Sequence, residues 1–583
     1  MPILNWIGKD KVVTHHQDVP FRVLEKKYTY GDTPDSGNMI IHGDNLEVLK
    51  ALLPEYEERV ECIYIDPPYN TGNEGWVYND NVNDPHIKKW LGKVVGAESE
   101  DLSRHDKWLC MMYPRLVLLQ KLLSESGVIF ISINDIECEN LKIICDEIFG
   151  RTNFVGMLTW ESTTQPTNAG SARFNLQKKV EQILMYRKSA LRSTYILEEI
   201  ESECKYPHKG KYGACRFEII EKSDAGGYNR ETMKFPILGQ VPREGKRWQI
   251  GEDTARELER NGKVEIVDGI VKKAIYPEDE LDKRKFKPFW SHFDAETYGS
   301  AQNGKELLNT IMGHAAGVDT VKPPQLIMEL ISHLPKDAIV LDCFACSGTT
   351  AHAVLMQNKK DGGTRKFIMI EIMDYCEKLT AERIKRVIDG YTYQGKEEEE
   401  LFSEKITLNQ LKKGEVLLNK ANDVIEKNKD KYDKIGKPKI ADNCLKVIGT
   451  KIYEGKTDGT GGSFDFYELG ETIFNPETNL LNEEVGTEKI RRYIWFSETN
   501  MAYVAPSKDA HPYLLGSARG TNYYFYYKKD EETCLDWAFL RTFTQRDKAE
   551  MYVIYADRCV LTQEEMTKMN IRFKQIPRDI KRV

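Results

Sequence analysis

The chain has 583 residues, 40% hydrophobic and 30% charged, with a formal net charge of −8. That is too long for one core and predicts roughly three or four domains of about 150 residues. The charge balance argues against a broadly basic nucleic-acid binder, although a local basic groove would suffice, and no run approaches the roughly 20 apolar residues of a membrane span. The opening "MPILNWIGKDK" meets charge too early for a secretory signal, so a cytoplasmic location is expected, with the twelve cysteines mostly reduced. Cys62, Cys110, Cys145 and Cys376 lie in apolar surroundings and read as small core residues.

In chain order, strand signals fall at 39–42, 60–65, 128–133 and 183–186, and helical periodicity runs from Trp108 to Leu123. From about 190 to 310 the pattern loosens into polar sequence with basic and aromatic clusters, which reads as an inserted domain. The alternation then resumes: a strand at 338–341, a helix at 349–357, a strand at 367–370 and a helix at 376–388. Such a series predicts an α/β, doubly wound parallel sheet, whose ligand sites lie at the carboxyl ends of the strands. After Gly390, "GKEEEELFSEK" reads as a solvated acidic run marking a boundary, and 408–435 as a charged helix or helical hairpin. Beyond Ala441 the chain reads as strand-rich, with "RRYIWF", "NYYFYYKK" and "MYVIYA" as candidate strands.

Two stretches carry chemistry. In "YIDPPYNTG" (64–72), Pro67 and Pro68 stop a strand and hold Asp66 and Tyr69 at its end. A carboxylate and a rigid carbonyl there would accept both N–H bonds of an exocyclic base amine and stabilise the charge it develops on attacking a methyl group. Tyr69 would stack on a base that has left the duplex. In "DCFACSGTT" (342–350), a turn of small residues opens a helix, and Glu371 ends the next strand; together they make a credible adenosyl-cofactor site. Cys343 and Cys346 form a lone CxxC with no second ligand pair, so no metal site is expected. "GTKIYEGKT" (449–457) and "GQVPREGKR" (239–247) lack phosphate-loop spacing, so no nucleotide-driven motor is expected, and cleavage would need a partner subunit.

With "GDNLEVL" (43–49), "WLCMMYPRL", "GVIFISIND", "VKPPQLIMELI" (321–331) and "FIMIEI", these stretches resemble S-adenosylmethionine-dependent amino-methyltransferases of the beta arrangement. They are most similar to the modification subunits of type III restriction–modification systems, which methylate adenine N6 in double-stranded DNA. The resemblance covers about 30–390. It implies a Rossmann-like methyltransferase sheet built from 1–190 and 311–390, a target-recognition domain at 191–310, and an α+β domain at 391–583 for dimerisation or docking of a restriction subunit.

By the same resemblance, Asp66, Pro67, Pro68 and Tyr69 form the catalytic pocket. Asp66 also borders the cofactor, together with Asp342 and Thr349. Phe344, Ala345, Ser347 and Gly348 cradle the methionine part, Glu371 holds the ribose, and Asp44 the adenine amine. Lys322 and Pro323 close the cofactor pocket. Cys346 stands where the family usually has a glycine; where that glycine needs positive φ, a side chain would impair the turn. Lys246, Arg247, Lys283, Arg284 and Lys285 are candidate phosphate contacts. Two rival readings share these residues: cytosine N4 or RNA as the methyl acceptor, and a DNA-recognition scaffold with weak catalysis.

Overall fold

The computed structural model describes residues 3–33, 36–71, 104–165, 176–191, 195, 197, 199–200, 205–224, 231–280, 285–407, 414–529 and 531–578. Contacts divide the chain into two compact units, one of residues 1–196 and 290–583 and the other of Leu197–Phe289.

The larger unit is built on a ten-stranded sheet. Its strands are β1 (Arg22–Gly31), β2 (Met39–His42), β3 (Val60–Ile65), β4 (Leu123–Ile133), β5 (Phe154–Glu161), β6 (Val180–Arg187), β7 (His292–Phe293), β8 (Ile339–Asp342), β9 (Lys366–Glu371) and β10 (Ser463–Thr472). Their spatial order is β1-β10-β2-β9-β8-β3-β4-β6-β5-β7. The block from β10 to β4 is parallel throughout. β6 then runs antiparallel to both β4 and β5.

The central strands are continuous apolar runs, "VECIYI" and "FIMIE", because helices cover both faces of a parallel sheet. Helix Arg104–Leu122 lays Trp108, Met112, Leu116 and Leu119 into the main core, at helical spacing. The chain goes from β2 through helix Asn45–Tyr56 to β3, and β8 and β9, made later, slot between them. All four therefore end along one edge, around a crossover of strand order.

Four sequence expectations differ from this backbone. "RRYIWF" lies in helix Thr487–Thr499, where Ile490, Ile494 and Trp495 are buried at helical spacing despite their strand propensity. The acidic run is a strand, Thr392–Lys405, paired antiparallel with Cys444–Lys456. Glu397 to Glu400 stay exposed and meet a basic partner, with Lys446 Nζ 3.2 Å from Glu400 Oε2. Residues 290–310 belong to the larger unit, because β7 pairs with β5 and helix Ala301–Met312 packs Leu308 and Met312 with Val318 and Val321. Residues beyond 390 also enter the main sheet, through β10, and a further four-stranded sheet spans Leu514–Gln575.

The smaller unit holds a four-stranded sheet (His208–Gly210, Gly213–Ile219, Val264–Val267, Ile270–Ile275) and helix Glu252–Arg260. Ile220, Ile237, Trp248, Ala255, Val264 and Val271 form its core.

Candidate active site

Asp66 to Tyr69 leave the carboxyl end of β3 as expected. The Trp108 indole N–H donates to the Pro68 carbonyl at 2.7 Å and pins the double-proline turn to the core. The Tyr69 hydroxyl donates to Asp66 Oδ1 at 2.7 Å and lies 2.9 Å from Glu181 Oε2. Lys322 Nζ donates to Asp66 Oδ2 and to the Tyr69 oxygen, both at 2.8 Å, and is 3.2 Å from Glu181 Oε2.

Burial opposes charge on Lys322, but Asp66 and Glu181 outweigh it and hold the ammonium above the ordinary lysine range. Burial first, then the same two carboxylates, push the Tyr69 phenol well up, so it stays a hydrogen-bond donor. The lysine expected to close a cofactor pocket thus reaches Asp66 and Tyr69 themselves. Gly304 makes this approach: a Cβ there would stand 2.0 Å from the Val321 carbonyl oxygen.

Asp342 and Glu371 end β8 and β9 beside it and are nearly sealed from solvent. Thr350 Oγ1 donates to Asp342 Oδ2 at 2.6 Å and the Phe344 amide to Oδ1 at 2.9 Å. The amides of Cys346 and Met373 donate to the two oxygens of Glu371, at 2.7 and 3.0 Å. Burial pushes both carboxyls up to about 7. Neither pairs with a cation among the described residues, which leaves a strand edge rich in unneutralised acid. Asp44 follows β2 on the same edge. It caps helix Asn45–Tyr56 by accepting from the Leu46 amide at 2.8 Å, and buried Arg115 approaches it at 3.4 Å.

The turn between β8 and its helix departs from expectation in its side-chain directions. Cys346 has φ +45° and Gly348 φ +79°, so the turn does use the left-handed region, and a cysteine adopts it. Cys343 packs in the main core, whereas Cys346 packs with Leu308, Met312, Val318 and Val321, so the two thiols serve different clusters. Phe344 also packs against the main core, and buried Ala345 donates its amide to the Ile370 carbonyl at 3.0 Å.

Ser347 and Thr349 face inward. Arg383, fully buried, donates through Nη1 to Ser347 Oγ (2.9 Å), the Ser347 carbonyl (3.1 Å) and Thr349 Oγ1 (2.9 Å), and its Nη2 lies 3.2 Å from His352 Nδ1. Burial lowers the Arg383 pKa to about 10. Pro323 is buried at the start of helix Pro324–Ser332.

The basic candidates fare differently. Arg247 lies 3.7 Å from Asp224 Oδ1 and is mostly buried, and its neighbour Trp248 is core. Lys246 stands beside it in a two-stranded ribbon. Lys283 and Arg284 lie outside the described residues, and Lys285 contributes backbone to a short pairing with Ile200.

Residues 60–382 match the family model N6_N4_Mtase, DNA methylase. The chain belongs to this DNA methylase family. Among curated relatives of this methylase, the type III restriction–modification enzyme StyLTI Mod subunit of Salmonella typhimurium is 33% identical over 63% of this chain and 58% of its own length. The EcoPI Mod subunit of Escherichia phage P1 is 33% identical over 63% of each chain. The type II methyltransferase M.KpnI of Klebsiella pneumoniae is 30% identical over 58% of this chain and 81% of its own. The chain thus spans about three fifths of the length of these Mod subunits.

Sequence reasoning missed Glu181, Trp108, Thr350 and Arg383. Glu181 sits two residues before the apolar core of its strand and reads as a solvated end. Arg383 lies in "AERIKRV", where nothing local separates a buried arginine from an exposed one. No helix among the described residues is long and apolar enough to cross a membrane.

Proposed function

We propose that this methylase transfers a methyl group from S-adenosylmethionine to adenine N6 in double-stranded DNA, as the modification subunit of a restriction–modification system. The observation that carries this reading is the cluster of Asp66, Tyr69, Glu181 and Lys322 at the carboxyl end of β3: acceptors arranged around a cationic nitrogen. The names of the Mod-subunit relatives support the wider assignment.

The residues suit the cofactor. Asp342 and Glu371 are buried acids without a cationic partner among the described residues, and Asp44 lies on the same strand edge. A cofactor bearing a sulfonium and ribose hydroxyls would bring positive charge and donors to them. When bound, it supplies an electrophilic methyl. Asp66 and the Pro67 carbonyl accept the two N–H bonds of the target amine and stabilise the charge that builds there. Tyr69, held through its hydroxyl, offers its ring to the extruded base. Arg383 fixes the turn from behind, and Trp108 fixes the neighbouring Pro68 carbonyl. Residues 197–289 serve as the target-recognition domain, a second copy of the chain completes the enzyme, and a restriction subunit docks on it.

The test is transfer of labelled methyl from the cofactor to DNA, followed by nucleoside analysis. N6-methyladenine is expected, with Asp66→Ala slower by about 10²-fold or more. Transfer by Asp66→Ala at the wild-type rate contradicts the assignment, and N4-methylcytosine alone reassigns the acceptor.

A further inference from the structure

Lys322 occupies a place suited to a target amine. Besides its bonds to Asp66 and Tyr69 and its approach to Glu181, its ammonium is 5.1 Å from the Tyr69 ring centroid and 5.3 Å from that of Trp160. Two carboxylates and two aromatic rings around one nitrogen form a box complementary to positive charge on nitrogen. An exocyclic amine attacking an electrophilic methyl group becomes such a nitrogen. With the Tyr69 hydroxyl on Oδ1 and Lys322 on Oδ2, Asp66 already has a donor on each oxygen.

We propose that Lys322 is a self-ligand that fills the amine box in the free protein and exchanges its partner from Asp66 to the carboxylate of the cofactor's amino-acid part, releasing Asp66 for the target amine. This rests on the function proposed above. A buried ammonium exchanges one anion only for another, because an unpaired charge there is strongly unfavourable. The cofactor's carboxylate is the anion the cofactor turn would bring, and Val321, the residue before the lysine, packs with Cys346 of that turn. Pro323 restricts the backbone of Lys322, so the exchange is a side-chain movement. The held-up pKa of Lys322 keeps it charged at neutral pH, so titration does not release it. Lys322 is thus a positioning residue that makes cofactor binding open the amine box.

The test is calorimetric binding to the full chain of two probes, S-adenosylhomocysteine and 5′-methylthioadenosine, which lacks the amino-acid carboxylate. The proteins are wild type, Asp66→Asn, Lys322→Met, Lys322→Arg and the Asp66→Asn/Lys322→Met double variant. Asp66→Asn should tighten S-adenosylhomocysteine roughly tenfold by freeing the lysine and leave 5′-methylthioadenosine within about twofold. Lys322→Met should weaken only the carboxylate-bearing probe and abolish the effect of Asp66→Asn, whereas Lys322→Arg should keep the selectivity for that probe. Binding of 5′-methylthioadenosine reports that each variant is folded. Equal tightening by Asp66→Asn with and without Lys322, or none in either, overturns the exchange while leaving the cofactor assignment intact. No binding of S-adenosylhomocysteine by the wild type overturns the proposed cofactor, and the exchange with it.

Discussion

The Cys346 amide donates to Glu371 Oε2 at 2.7 Å while Cys346 itself holds a left-handed backbone, φ +45°. A side chain there costs about 1–2 kcal/mol relative to the right-handed region, and the charge-assisted bond to a buried carboxylate helps offset it. The turn is therefore strained but formed, with a cysteine in place of glycine. Replacing Cys346 with glycine removes the strain but also the thiol's packing on Leu308 and Met312. Chemical denaturation should place Cys346→Gly within about 1 kcal/mol of wild type, and Cys346→Val, β-branched at positive φ, about 2 kcal/mol below it. A valine variant as stable as wild type would show that the turn is not strained.

Glu371 gives a pH signature. Burial raises its carboxyl from 4.5 to about 7 in the folded chain, so between those values the folded state keeps a proton that the unfolded state has released. Stability contributed by this group is present below the lower value and lost as pH rises toward the upper one. The stability of wild type relative to Glu371→Gln should fall by on the order of 3 kcal/mol across that window. Urea melts at about pH 4 and about pH 7.5 measure it. A difference independent of pH contradicts the burial argument.

Arg383 holds the turn after β8 with no carboxylate partner among the described residues. Its loss leaves Ser347, Thr349 and His352 without the donors they meet in the interior. Arg383→Met should lower stability by about 3 kcal/mol, and Arg383→Lys should recover only part of it, because a single ammonium cannot span all three groups. Full recovery by lysine would show that the fork geometry is not used.

The smaller unit separates two neighbouring cations. Lys246→Ala should lower the slope of log binding constant against log salt on DNA by about 1. Arg247→Ala should change it less, because Asp224 already lies beside that guanidinium. Filter binding across a salt series compares them; equal slopes for Lys246→Ala and wild type remove Lys246 from the phosphate contacts.

The sheet was legible where burial on both faces makes strands into unbroken apolar runs, as at 60–65 and 367–370. Asp66 to Tyr69 were legible because two prolines end such a run abruptly. Glu181 was not: it enters the site through a strand pairing that sets it opposite Trp160, more than a hundred residues along the chain from Asp66. The inward turn of Ser347 was not legible either: backbone handedness, set by Cys346 and Gly348, directs it toward Arg383. The acidic strand at 392–405 was illegible because its basic partner lies some fifty residues away.

In the proposed reaction the Asp66 cluster carries methyl transfer to adenine. Incubating the chain and its Asp66→Ala variant with labelled cofactor and DNA, then resolving the nucleosides, tests it most directly. Label is expected in N6-methyladenine for the wild type, with a rate lower by about 10²-fold or more for the variant. Label in any other nucleoside, or equal rates for the two proteins, would contradict it.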